Sequence, residues 1–117
     1  MVNIYDNANE MAAQLKQTEQ YQAFVKMKDE VLADEGNKKM ISDFKKLQFE
    51  AQAISLSGQE PPKELMDKIQ KVGEVLQFNP RLTEYFAAEY RLNTLVSELY
   101  KIIFGGVSDI SAGLFEE

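Results

Sequence analysis

The chain has 117 residues, with 13 basic and 19 acidic side chains and a formal net charge of −6. It contains no cysteine, which excludes disulfides, thiolate metal sites, iron–sulfur ligation and thiol nucleophiles. It also contains no histidine, which excludes serine and cysteine triads, histidine-containing zinc sites and carboxylate–histidine di-iron sites. The acidic balance disfavours nucleic acid and anionic membrane as bulk electrostatic partners, because both are polyanions.

Length and hydropathy predict one domain in the cytoplasm. A chain of this size buries enough surface to fold around a single core, and we assign residues 1–104 to one helical domain and residues 105–117 to a short C-terminal tail. The N-terminal sequence lacks a basic segment followed by an apolar run, and the longest apolar stretch elsewhere, around Ile102 to Phe104, is only a few residues long. We therefore expect neither a signal peptide nor a membrane span.

Apolar residues at steps of three and four predict two helices in the first third of the chain. The first covers about Ile4–Gln17 with Asn3 as its N-cap, and its apolar residues are predicted to lie on one face. The second covers about Glu19–Ala33 with Thr18 as its N-cap. The polar segment Asp34–Asn37 is predicted to end the second helix.

The remaining elements are a predicted helical hairpin and one long helix. The third helix covers about Lys38–Ser57 and closes at Gly58, and after a proline-containing turn the fourth covers about Pro62–Gln77. These two helices are expected to lie antiparallel. Asn79 and Pro80 form a cap and an N1 proline that open the fifth and longest helix, which runs to about Phe104 and stops at Gly105-Gly106. The prediction is an all-α five-helix bundle with the last helix at its centre.

The third helix has two apolar faces. One face carries five apolar residues and the other begins with lysines, but Phe49, Ala53 and Leu56 project on the lysine side of its second half. A helix with two apolar faces needs two partners, and a chain this short covers only one of them with its own helices. We predict that Phe49, Ala53 and Leu56 form a homodimer interface, since closed twofold dimers are the commonest oligomers. The first face consists of Met40, Phe44, Leu47, Ala51 and Ile54.

Two charged residues lie within apolar stripes, Lys28 in the second helix and Glu89 in the fifth. A buried charge is costly unless it is paired, so we predict that these two side chains form a buried or interfacial polar pair. A second structural interpretation is that the lysine extends its stem and keeps its ammonium in water. The alternative is a perturbed acid or base in a cleft, with Tyr85 or Tyr90 beside Glu89. Without histidine, a phosphate-binding glycine loop or clustered carboxylates, we assign no catalytic, cofactor-binding or metal-binding residue and expect a protein that is not an enzyme.

Four lysines of the third helix form a basic ridge that is a weak candidate for RNA binding. A solvated helix face explains them better, because no aromatic side chains interleave with them at stacking distance. An RNA-associated factor using this ridge is therefore kept as the alternative function. The ridge consists of Lys38, Lys39, Lys45 and Lys46.

Several motifs resemble the YheA/YmcA/YlbF-like family of small bacterial helical proteins, and most closely its YheA branch. Their order and spacing agree over nearly the whole chain. They are Phe44-Lys45-Lys46-Leu47-Gln48, Gly58-Gln59-Glu60-Pro61, Asn79-Pro80, Tyr85-x-x-Ala88-Glu89-x-Arg91-Leu92 and Lys101-Ile102-Ile103.

The resemblance implies a five-helix homodimeric protein of largely unassigned function. The YmcA and YlbF members join a third protein, YaaT, in a complex that influences ribonuclease Y, RNA maturation, competence, sporulation and biofilm formation. That complex carries iron–sulfur clusters on cysteines, so cluster binding does not transfer to a chain without cysteine. We predict a helical protein–protein interaction module or regulator that acts as a homodimer with a further protein partner, linked through its family to RNA processing or developmental regulation.

Overall fold

The computed structural model describes residues 2–107, and this part of the chain forms five α-helices and no β-strand. The all-α fold predicted from the sequence is confirmed. In chain order the helices are α1 (Ile4–Lys16), α2 (Glu19–Leu32), α3 (Glu35–Leu56), α4 (Lys63–Gln77) and α5 (Pro80–Gly105).

Three of the predicted caps are present. The side-chain oxygen of Thr18 accepts a hydrogen bond from the Tyr21 amide at 3.2 Å, and that of Asn3 accepts one from the Asp6 amide at 3.3 Å. The Asn79 oxygen accepts bonds from two amides of the first turn of α5, at 3.1 and 3.4 Å. Gly58 follows α3 with a φ of +89°, a conformation that favours glycine because it has no Cβ.

The predicted start of α3 at Lys38 is wrong by three residues, because the helix begins at Glu35. Asp34 does separate the two helices, with an extended backbone (φ −93°, ψ 119°), and it also caps the second of them. Its carboxylate accepts a hydrogen bond from the Asn37 amide at 3.0 Å and its carbonyl accepts one from the Lys38 amide at 2.9 Å. An aspartate at the N-cap satisfies free amides of the first turn, and this offsets the weak helix propensity of the glycine and asparagine that follow.

The helices belong to two compact units. The first unit contains residues 2–25 and 87–107, and the second contains residues 26–86. Six of the seven buried apolar residues of the described chain lie in the second unit, so this unit has the more substantial core. They come from α2, α3, α4 and the start of α5: Val31, Ile41, Leu65, Leu76, Leu82 and Tyr85.

Within the second unit, α3 and α4 pack against each other. The Phe44 ring lies 3.8 Å from the position that a Cβ on Gly73 would occupy. Phe44 and Gly73 lie at about equal distances along the chain on either side of Gly58. Residues so placed are expected to face each other in an antiparallel hairpin. The Phe44 ring also meets the Phe86 ring edge to face, with centroids 5.9 Å apart, a favourable aromatic geometry.

The first unit is poor in buried side chains. Ala88 is its only buried apolar residue within the described range, and α1 contains none. The apolar face of α1 therefore contributes no fully buried residue to a core within the described chain. Gly105 is the last residue of α5, one position into the predicted tail, and residues 108–117 lie outside the described residues. The single-domain assignment stays a prediction.

Candidate protein-interaction surfaces

Three apolar residues in the second half of α3, named here the α3 strip, are exposed: Phe49, Ala53 and Leu56. Phe49 is 72% exposed and Leu56 is 80% exposed. They are seven residues apart, so they lie two turns from each other along one line of the helix, with Ala53 between them. A phenylalanine and a leucine exposed on one line of a helix, with an alanine between them, form an apolar patch that a second surface can cover.

The opposite face of α3 is covered by the chain itself. Ile41 is buried, and the predicted inward residues Phe44, Leu47, Ala51 and Ile54 are each partly buried. Since the partners of this face are already in place, the side chains of the α3 strip need not turn inward to complete the core. The strip's role as a homodimer interface stays a prediction.

The basic ridge of α3 is partly neutralised within the chain. The Lys39 ammonium lies 3.1 Å from the Asp43 carboxylate one turn further on. The Lys45 ammonium lies 5.5 Å from the centre of the Tyr85 ring and donates a hydrogen bond to its hydroxyl at 3.4 Å. Lys38 and Lys46 are exposed. Two of the four lysines therefore already have partners, which weakens the ridge as a phosphate-binding surface.

The predicted burial of Lys28 is wrong. Lys28 is exposed, Glu89 is partly buried, and the described residues contain no fully buried charged side chain. The error has a physical reason: a lysine within an apolar stripe can extend its flexible stem and keep its ammonium in water. The pairing of Lys28 with Glu89 stays a prediction.

The two tyrosines considered as partners of a catalytic Glu89 differ in environment. Tyr85 is buried to 3% exposure, with its hydroxyl facing Lys45, whereas Tyr90 is 73% exposed. Among residues 2–107, no three acidic side chains come together in an arrangement that could hold a metal ion. No helix in the same range combines the length and apolar character needed to cross a membrane.

A second apolar surface lies in the first unit, between α1 and the second half of α5. This α1–α5 groove has a volume of about 310 Å³. Its lining residues repeat on each helix at steps of three, one and three, so they form one continuous line on each. Its walls are Ala8, Met11, Ala12 and Leu15 from α1, and Val96, Leu99, Tyr100 and Ile103 from α5.

The sequence pattern predicts the apolar line on α1 and the one on α5, but it does not show that these residues remain exposed. An amphipathic stripe is the usual sign of a core-facing helix, and the same spacing serves a core or an interface. One signal was available in the first helix. Alanines fill two of the four groove positions of α1, so this helix has little apolar bulk with which to anchor itself.

The fold and these surfaces define a small all-helical protein with exposed apolar strips. The chain belongs to the family described as control of competence regulator ComK, YlbF/YmcA, which matches residues 4–108. A relative in Halothermothrix orenii, a UPF0342 protein, is 33% identical over 104 residues, covering 89% of this chain and 88% of the relative. The predicted membership of the YheA/YmcA/YlbF-like family is confirmed.

Two solved structures share the fold. The structure of yheA from Bacillus subtilis matches with a TM-score of 0.67 and 27% identity, covering 93% of this chain and 99% of that one. The structure of Bacillus subtilis RicA in complex with RicF matches with a TM-score of 0.60 and 20% identity, covering 91% and 94% of the two chains. At that identity the RicA match shows the shared fold alone.

Proposed function

We propose that this protein is a non-enzymatic helical interaction module, or regulator, that acts as a homodimer through the α3 strip. The observation that carries this proposal is the exposure of Phe49 and Leu56 on a helix whose opposite face is already covered. Fully burying such side chains is worth roughly 1.5–3 kcal/mol each. Because a twofold axis uses every contact residue twice, the strip can supply a central part of a stable interface.

The family supports a regulatory role. Its description names control of the competence regulator ComK, and RicA, which has the same fold, was solved in complex with another protein, RicF. We propose that this chain likewise regulates by holding protein chains together, in the cytoplasm, in developmental or RNA-processing pathways such as competence. A direct RNA contact through the basic ridge is the competing function, and no contact of the ridge favours it.

Co-purification of two differently tagged copies tests the proposal in the protein's own cells. With both copies wild type, we expect the second tag, and any further protein partner, to be retained on the first. With Phe49→Glu/Leu56→Glu in both copies, recovery of the second tag should fall at least several-fold. The matched control is Gln48→Glu/Ser55→Glu, which places the same charges seven residues apart on exposed positions of α3.

RNA is sequenced from the same eluates. Equal recovery of the second tag from wild type and strip variant would contradict the α3 strip. A wild-type eluate that contains RNA but no second copy and no other protein would contradict the interaction module and favour the basic ridge.

A further inference from the structure

The α1–α5 groove exposes several large apolar side chains of the first unit. On α1 its line continues through Ile4 and Tyr5, which are 64% and 78% exposed, and Met11 is 36% exposed. On α5, Tyr100 is 43% exposed and Ile103 is 46% exposed. An isolated helix of 13 residues is marginal in water, and α1 has that length and no buried residue. This helix needs something against its apolar face.

The exposed apolar area is close to what a protein partner requires. Taking about 200 Å² for a large side chain, the exposed parts of six residues amount to roughly 600 Å². A standard interface buries about 800 Å² of accessible surface on each partner. The other groove residues and the polar side chains beside the groove can supply the remaining area. The six residues are Ile4, Tyr5, Met11, Val96, Tyr100 and Ile103.

The charge around the groove suits a second copy of this chain. Two copies that each carry a net charge of −6 repel each other, and the repulsion on contact is smallest where the surfaces that meet carry no acidic groups. No groove residue is charged. Turning α1 by about 100° per residue places its acidic residues Asp6 and Glu10 away from the groove, and the nearest polar neighbours include Asn7 and Gln14. On α5 the nearest carboxylate on the groove's own line is Glu89, which lies two turns before the groove and is partly buried. Two copies can therefore approach along α1 and the last turns of α5 without bringing carboxylates together.

The shape of the groove points to the same occupant. Each wall is one helical line with the same spacing, and two such helix pairs close into a four-helix arrangement about a twofold axis. Ala8 and Ala12 leave the α1 wall shallow, while Tyr100 and Ile103 make the α5 wall bulky. Small and large side chains that face each other across the axis can interdigitate. We propose that the α1–α5 groove is an isologous interface that receives α1 and α5 of a second copy, which extends the self-association proposed above to a surface other than the α3 strip.

The first experiment introduces charge into the groove and follows assembly size. Met11→Glu/Ile103→Glu places two carboxylates in the groove, where they must be desolvated beside their copies, so self-association should weaken about 100-fold or more. The control Ala13→Glu/Thr94→Glu adds the same charges to exposed positions on the other faces of α1 and α5. Sedimentation velocity should show a smaller species for the groove variant than for wild type and control. An unchanged sedimentation coefficient would overturn the proposal.

A second experiment covers the case in which the charged variant fails to fold. The chain has no cysteine, so Ala12→Cys introduces a single thiol into the groove and Ala13→Cys introduces one outside it. A short bismaleimide linker should cross-link most of Ala12→Cys into covalent dimers and little of Ala13→Cys. Equal cross-linking of the two variants, or none of either, would overturn the groove as the interface.

The groove and the α3 strip can fail independently. If Phe49→Glu/Leu56→Glu sediments as wild type while Met11→Glu/Ile103→Glu yields a smaller species, the strip proposal fails and the groove proposal stands. The reverse pattern removes the groove and leaves the strip.

Discussion

Removing the Asn79 side chain should destabilise the second unit by about 2 kcal/mol. Asn79→Ala deletes the N-cap of α5, a loss of about 1 kcal/mol. It also deletes the hydrogen bond that the side-chain nitrogen (Nδ2) of Asn79 donates to the side-chain oxygen of Asn37 at 3.2 Å. That bond is expected to contribute about 1 kcal/mol to stability. The capped turn contains Leu82, whose exposure is 0%. The cap therefore stabilises a turn that contributes directly to the core.

Urea denaturation followed by circular dichroism measures this change. The protein concentration must be the same for every variant, because self-association adds to apparent stability. Asn37→Ala is the matched control: it removes the bond between the two asparagines, about 1 kcal/mol, but leaves the cap of α5 intact. If Asn79→Ala and Asn37→Ala lowered the free energy of unfolding equally, the cap would contribute nothing and the reasoning would be refuted.

Three further predictions concern single features of the chain. Gly58→Ala should cost about 1 kcal/mol in the same denaturation assay, because the φ of +89° is strained for any residue with a Cβ; an unchanged midpoint would contradict this. Lys28→Met should change stability by no more than about 0.5 kcal/mol, because Lys28 is exposed, and a loss of several kcal/mol would instead indicate a buried partner. Replacing all four ridge lysines with glutamine should leave the protein's cellular function intact, as scored by complementation of a deletion strain. A salt-sensitive RNA complex that is lost in this variant would contradict that expectation. The replaced residues are Lys38, Lys39, Lys45 and Lys46.

The local chemistry of helix ends was the part of the fold best predicted from sequence. Thr18, Asn79 and Gly58 each act through neighbours within a few residues along the chain, so their roles follow from the sequence alone. The prediction that the break extends from Asp34 through Asn37 is wrong for a related reason, because the helix begins directly after Asp34. An aspartate near glycine and asparagine suits both a turn and an N-cap. Which of the two forms depends on whether the residues that follow pack as a helix against the rest of the protein.

The candidate surfaces were only half predictable. The exposure of Phe49 and Leu56 agrees with the prediction that α3 has more apolar faces than the chain can cover. By contrast, α1 carries one ordinary apolar stripe, and nothing in its spacing distinguishes a covered face from an uncovered one. The burial of Lys28 was mispredicted because periodicity fixes the direction of its Cβ but not of its long, flexible side chain.

The most direct test of the central proposal, self-association through the α3 strip, is sedimentation velocity at micromolar concentration on three proteins. These are wild type, Phe49→Glu/Leu56→Glu and the matched control Gln48→Glu/Ser55→Glu. We expect wild type and control to sediment together as a dimer or larger species, and the strip variant to sediment as a smaller one with its helicity largely retained. A wild type that is already monomeric, or a strip variant that sediments with the wild type, would contradict the proposal.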